Sequence, residues 1–287
     1  MSFTATTAAP DRLLRRPLPF AQGGARHRVG ARNEPMTAWL ELAGDDVAGQ
    51  LDEKQRLFDQ HHDCVLKSLP GSEEACAEVL EAVRTAGVPL PSAPAAHPLE
   101  LVGRAVPEDL CVHLPGPDGR LLLVAGCVCF PNKWLLADKI GRPVVAIHEP
   151  VPGYEPQLGA PVDRLMERLT PDRLLVRANW GITDGGALFA PGPRHAETPE
   201  SADLSEQFWL RIERQTVRRL PRTGAVIFTI RTLHAPLAVL STDREAAALL
   251  ARAMLQLPDQ LADYKLGGTA VRDAVLGWLD GLAPLAG

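Results

Sequence analysis

Nowhere in the 287 residues do eighteen apolar residues follow one another, which excludes a transmembrane helix. The first twenty residues contain Arg12, Arg15 and Arg16 but no uninterrupted apolar run behind them, so no signal peptide is expected. Cysteine is scarce. Cys64, Cys76, Cys111, Cys127 and Cys129 are five, an odd number without the spacing of a secreted disulfide framework, and a reducing, cytoplasmic setting is the expectation. A formal net charge of −5 gives no reason to expect nucleic acid as a partner. Also missing are a Gly-rich phosphate loop, a dinucleotide fingerprint and any internal repeat.

Hydrophobic residues at 46% and charged residues at 23% match an ordinary soluble globular chain, long enough to bury a large core. Residues 1–35 are rich in Ala, Pro, Gly and Arg without a sustained period, and are expected to form an arm that is poorly ordered or docks on the surface. Residues 36–287 then form one domain. Helical spacing follows Asp46 (Val47, Leu51, Leu57, Phe58), with Asp45 or Asp46 as N-cap, and again from Ser72 to Gly87. Beyond a Pro-rich connector the period changes. Asp109 to Leu114 and Arg120 to Phe130 read as a hairpin, Trp134 to Ile140 and Pro161 to Leu169 as short helices, and Leu174 to Trp180 as a third strand. Residues 181–203, with His195, read as a long surface excursion. Two Arg-rich strands lie between Phe208 and Thr232, Thr242 and Glu245 form a capping box for a helix to about Leu255, and a last helix spans Thr269 to Leu282. Helices, then strands, then helices give an α+β fold.

Two stretches carry the chemistry. Val144, Val145, Ala146 and Ile147 read as a strand that delivers His148 into a turn stiffened by Pro150 and Pro152, which is how a chain presents a ligand. From Arg211 to Arg231 the chain places six arginines around a single acid, Glu213. Alternation puts Arg211, Glu213, Gln215 and Val217 on one face, and Ile212, Arg214, Thr216 and Arg218 on the other. Cys127 and Cys129 share a face, possible neighbours of Cys111. An apolar setting reads them as inert core thiols, because zinc or iron–sulfur needs more ligands at recognisable spacing.

The segments Arg28-Val-Gly-Ala-Arg32, Glu108-Asp-Leu-Cys-Val112, Phe130-Pro-Asn-Lys-Trp134, Lys139-Ile-Gly-Arg-Pro143, Ile147-His-Glu-Pro-Val-Pro-Gly-Tyr154, Asn179-Trp180 and Arg211-Ile-Glu-Arg-Gln-Thr-Val-Arg-Arg-Leu-Pro resemble the haem-binding subunit of haem-dependent oxidative N-demethylases, of the dimethylamine monooxygenase type. The resemblance covers roughly residues 28–265. It implies a PAS-like antiparallel sheet with flanking helices, holding haem b, with electrons from NADPH arriving through a flavin and iron–sulfur reductase on another polypeptide. Dioxygen and a small methylated amine are then the substrates, and formaldehyde is released; the alternative is a haem-containing sensor without turnover. His148 becomes the iron ligand. Arg219 and Arg231 are the choice for the haem propionates, with Lys133 and Trp134 lining the cofactor. Glu213 would receive the ammonium group, Gln215 and Thr216 would orient oxygen or water, and Tyr154, Asn179 and Trp180 would line the pocket. Leu233, with His234 behind it, stands where the family pattern carries an aromatic residue, so an amine other than dimethylamine is expected if that position touches it.

Overall fold

Strict alternation decides the long strands: in Phe208–Arg219, Leu210 and Ile212 are enclosed on one side while Arg211, Glu213 and Gln215 bond one another on the other. The computed structural model describes residues 7–15, 17–21, 30–92, 96–192 and 203–282. Its strands are β1 (Arg32–Glu34), β2 (Leu66–Ser68), β3 (Asp109–Pro115), β4 (Leu121–Cys127), β5 (Leu174–Asp184), β6 (Phe208–Arg219) and β7 (Val226–Pro236). They form one antiparallel sheet in the order β1-β5-β6-β7-β3-β4-β2. The helices are α1 (Pro10–Leu13), α2 (Val47–Val65), α3 (Glu73–Thr85), α4 (Pro98–Gly103), α5 (Val144–Ile147), α6 (Ala160–Glu167), α7 (Leu204–Gln207), α8 (Arg244–Leu255), α9 (Asp259–Leu266) and α10 (Thr269–Leu282). The α+β expectation holds.

The sheet has two differently covered faces. On one, Leu110, Val112, Ala125, Cys127, Leu174, Val176 and Ile227 pack on Leu57, Phe58, Val79, Val83 and Val102 of α2 to α4. Farther along that face, Trp180, Ile182, Leu210, Ile212, Leu233 and Ala235 pack on α8 to α10. The other face is crossed by residues 128–173, the connection from β4 to β5, through Leu136, Ile147, Met166 and Leu169. A bulge switches β4 between the two. Val112 pairs with Ala125 but His113 with Leu123, so Val124 is extra. Leu123 therefore joins the crossing layer and Cys127 the helical one.

Several local expectations need correction. Val144–Ile147 is a single helical turn, with His148 as its C-cap, and not a strand. Four β-branched or small residues are too few to show a period, and Pro143 in the N-cap position starts a turn of helix readily. The helix expected over Trp134 to Ile140 shrinks to a 3-10 turn at Leu136–Asp138. Asp243, not Thr242, caps α8 by accepting from the Ala246 N–H at 3.0 Å. Asp46 does occupy the N-cap position of α2, but its carboxylate is committed elsewhere. Part of the arm belongs to the core: Ala8, Leu13, Leu14, Leu18 and Phe20 are buried with α8 to α10, and Arg32–Glu34 is the edge strand. Cys127 and Cys129 lie in the helical layer and Cys111 in the crossing layer, so they form no thiol trio. Arg28, Val29 and His195 lie outside the described residues.

Candidate functional site

The crossing face of β5, β6 and β7 is where unlike chemistry meets. Register sets Arg177 beside Gln215, Asn179 beside Glu213 and Ile230 beside Gln215, and Phe228 follows beside Val217. Arg177, Asn179, Glu213, Gln215, Phe228 and Ile230 are only half-buried: Arg177 and Asn179 lie where β5 runs past β1 and becomes the edge, the other four on the interior strands β6 and β7. We take this half-buried row as the floor of the candidate pocket, polar at the Glu213 end and apolar at the Phe228 end.

Residues 131–154 supply the facing wall. Trp134 and Ile147 pack with Phe228 in one apolar cluster. Lys139 lies over the Trp134 ring at 5.4 Å and donates from Nζ to the Ile147 carbonyl, which ties the 3-10 turn to the helical turn before His148. At His148, Nδ1 donates to the Val144 carbonyl at 2.8 Å, the last-turn bond that a C-terminal side chain can make. Tyr154 stacks on the imidazole, centroids 4.3 Å apart and planes 9° apart. Nε2 makes no hydrogen bond among the described residues. Burial pushes the His148 pKa down to about 4, and the positive Lys139 and Arg177 nearby act in the same sense. The ring is neutral at pH 7. His113, on β3, is likewise pushed down to about 4 by burial, with His148 adding to the shift.

Glu213 is not a lone acid. Arg211 donates from Nε to one carboxylate oxygen at 2.9 Å, and Gln215 donates to the other at 3.1 Å. Burial alone would raise its pKa, but Arg211, Gln215 and Lys265 outweigh this and hold it below the ordinary value. Arg211 is buried and also reaches the Phe130 carbonyl at 2.6 Å, so it fixes the crossing segment to β6. Lys265 enters from α9 and donates to Asn179 Oδ1 at 2.7 Å and to the Trp180 carbonyl at 2.8 Å. Gly181 makes this approach possible, because a Cβ there would lie 2.9 Å from the Lys265 carbonyl oxygen. Burial lowers Lys265 to about 8, against the pull of Glu213. Arg177 has no hydrogen bond or ion pair among the described residues.

The expected site residues therefore divide. Glu213 and Gln215 lie in the row itself, Trp134 packs with its Phe228, and His148 and Tyr154 are near enough to Arg177 to feel its charge. Lys133 lies near Asp184, at the far end of β5, and is the single non-glycine residue with positive φ, 63°, among those described. Its backbone is held there by the Ala190 carbonyl at 2.9 Å, an imposed conformation of the kind that collects at functional sites. Arg219 shares the face, but its guanidinium donates to the carbonyls of Leu169, Gly224 and Met166 at 2.6–2.7 Å. Thr216, Trp180 and Arg231 are corrections, because all three point to the helical face. Thr216 bonds Thr229 at 2.6 Å, Trp180 meets Phe20 edge to face, and Arg231 is enclosed with Asp46. Leu233 is buried in the same helical layer, so its departure from the pattern does not touch the pocket.

Arg177, Lys139 and Lys265 had not been anticipated. Alternation of Leu175, Arg177 and Asn179 could have pointed to Arg177; nothing local marks Lys265, which arrives from a helix 86 residues beyond Asn179. A family model described as haem-dependent oxidative N-demethylase, alpha subunit-like, matches residues 83–276. The match runs from the end of α3 into α10 and takes in every strand that builds the pocket.

Proposed function

The chain belongs to the haem-dependent oxidative N-demethylase, alpha subunit-like, family, and on that premise we propose that it holds haem b through His148 and removes an N-methyl group from a small amine. The observation that carries this reading is the imidazole. Its Nδ1–H is spent on the Val144 carbonyl, so the neutral Nε2 lone pair is free, the state in which metal-bound histidines are held.

Charge supports the same ligand. Around Glu213 stand Arg177, Arg211 and Lys265, three cations against one carboxylate, which leaves two positive charges in excess. Two propionates balance them. Arg177 offers an uncommitted guanidinium fork for one of them, whereas Arg219 and Arg231 have already spent theirs. Trp134, Ile147 and Phe228 form an apolar surface for the macrocycle, with Ile230 two residues along the same face of β7. The five long strands, numbered in chain order from β3, run 2-1-5-4-3 with a helical crossing over one face, which we read as PAS-like.

When bound, haem supplies the reductive use of dioxygen that oxidises the methyl carbon. The balance is one dioxygen, one NADPH and one proton per N-methyl group, giving the demethylated amine, formaldehyde, water and NADP⁺. The chain carries no nicotinamide or flavin motif, so the electrons come through a flavin and iron–sulfur partner. Glu213 is placed to offset the charge of an incoming ammonium, and Gln215 to orient it through its amide oxygen, once the surrounding cations are paired with propionates.

Titrating the haem-loaded protein with di- and trimethylamine is expected to shift the haem spectrum, and turnover with NADPH and a reductase to release one formaldehyde per methyl lost. A spectral shift without formaldehyde would mean a sensor. Glu213→Gln is expected to retain haem and to lose amine affinity at least about tenfold, roughly 1.4 kcal/mol. Unchanged amine affinity in that variant would limit Glu213 to holding Arg211.

A further inference from the structure

Between His148 and Tyr154 the backbone folds back twice. The Val151 N–H donates to the His148 carbonyl at 2.8 Å, and the Tyr154 N–H donates to the Val151 carbonyl at 3.1 Å. These two turns bring the Tyr154 ring alongside the imidazole, nearly parallel to it. We propose that Tyr154 is a positioning residue that fixes the plane of the His148 imidazole and with it the axial bond to iron, and that it does not contact substrate. The inference rests on the haem reading above.

One hydrogen bond cannot hold an imidazole by itself. The Nδ1 bond to Val144 still leaves the ring free to twist about the N–H···O axis, and that twist would swing Nε2 sideways. A parallel ring at 4.3 Å blocks the twist on one side. Whatever Nε2 binds lies in the plane of the imidazole, beyond its edge. Tyr154 lies beside that plane, on the ligand's own side of the bound group, which removes it from the opposite, substrate-facing side. Its hydroxyl makes no hydrogen bond among the described residues, so the ring and not the hydroxyl is the working part. Tyr154 also lines an open surface cavity, with Arg120, Pro143, Val145, Glu149, Val151 and Glu155 among its other residues. Loss of the ring would therefore give the imidazole room to move.

The test compares wild type, Tyr154→Phe and Tyr154→Leu, with and without haem. Without haem, ¹⁵N NMR of the histidine rings is expected to show the Nδ1–H tautomer of His148 in wild type and Tyr154→Phe, and a mixture in Tyr154→Leu. With haem, Tyr154→Phe should match wild type in its iron–histidine stretching band and in the rate of haem transfer to apomyoglobin. Tyr154→Leu should broaden the band and release haem about tenfold to a hundredfold faster, the usual range for groups that orient a metal ligand. Wild-type values for both observables in Tyr154→Leu overturn the proposal, as does a Phe variant that behaves like Leu. If Leu opens the segment, Tyr154→Met, of similar volume but longer and unable to stack, must give the same broadened band. The haem reading fails separately, and this one with it, if wild type shows no iron–histidine band.

Discussion

Arg231→Met is expected to lower the unfolding free energy by about 3–5 kcal/mol, because it strips a buried carboxylate of its hydrogen-bonded counter-charge and leaves it only Arg12, 3.8 Å away on the other oxygen. The Arg231 guanidinium donates to Asp46 Oδ2 at 2.7 Å, to Gln50 Oε1 at 2.6 Å and to its neighbour's carbonyl, Thr232 O, at 2.7 Å. Both members of the ion pair are fully enclosed. Gln50 closes the group by donating to the same Asp46 oxygen at 3.2 Å and to Thr232 O at 2.9 Å. The pair joins the start of α2 to the central strand β7, so its loss separates the helical layer from the sheet. Urea unfolding of the haem-free protein measures the loss as a lower midpoint at constant slope. Asp46→Leu combined with Arg231→Met should recover part of it, since the buried carboxylate is removed with its partner and Arg12 keeps Glu41. Near-wild-type stability in Arg231→Met, with haem uptake lost, would instead return this arginine to the propionates.

His148→Ala is expected to fold and to lose the cofactor. The side chain caps one turn of helix and is half-buried, so its removal costs one hydrogen bond and one ring stack, on the order of 1–2 kcal/mol. That is small against the layers on either side of the sheet. The consequence for haem is much larger, because no other described histidine combines a neutral ring, a free nitrogen and a place on this pocket. His113 bonds the Val226 carbonyl through Nδ1 at 3.3 Å and is buried in β3, and His234 is fully buried with Nε2 on Thr183 at 2.8 Å. Circular dichroism should be unchanged while the Soret band of the wild type is absent. Retention of the wild-type band and ligand signature would move the axial bond to one of those two rings.

The sheet was legible from two signals. Asp109 to Leu114 and Arg120 to Phe130 were readable as a hairpin because two apolar runs flank a Pro-Gly-rich turn, while period two in the strand after Phe208 splits Arg211, Glu213 and Gln215 from Ile212 and Arg214. That rule also sends Thr216 away from Gln215, a consequence contained in the sequence. What stayed hidden depends on contacts across long separations. Arg231 and Asp46 are 185 residues apart, and no local pattern tells that this arginine is sealed in an ion pair while Arg177 has no hydrogen bond or ion pair among the described residues. Short elements were hidden for a different reason. Val144–Ile147, Leu66–Ser68 and Arg32–Glu34 span three or four residues, fewer than either period needs, and their state is decided by what packs on them. His148 was nevertheless singled out, since prolines at 150 and 152 advertise a fixed turn whatever precedes it.

The most direct measurement is a haem titration of the purified wild-type chain at pH 7, followed by its Soret absorbance and by the axial-ligand signature of the loaded protein. One haem per chain is predicted, bound through a single neutral imidazole that is missing in His148→Ala. A chain that takes up no haem, or takes it up with the same spectrum in both proteins, would contradict the assignment of His148 and of the pocket built around it.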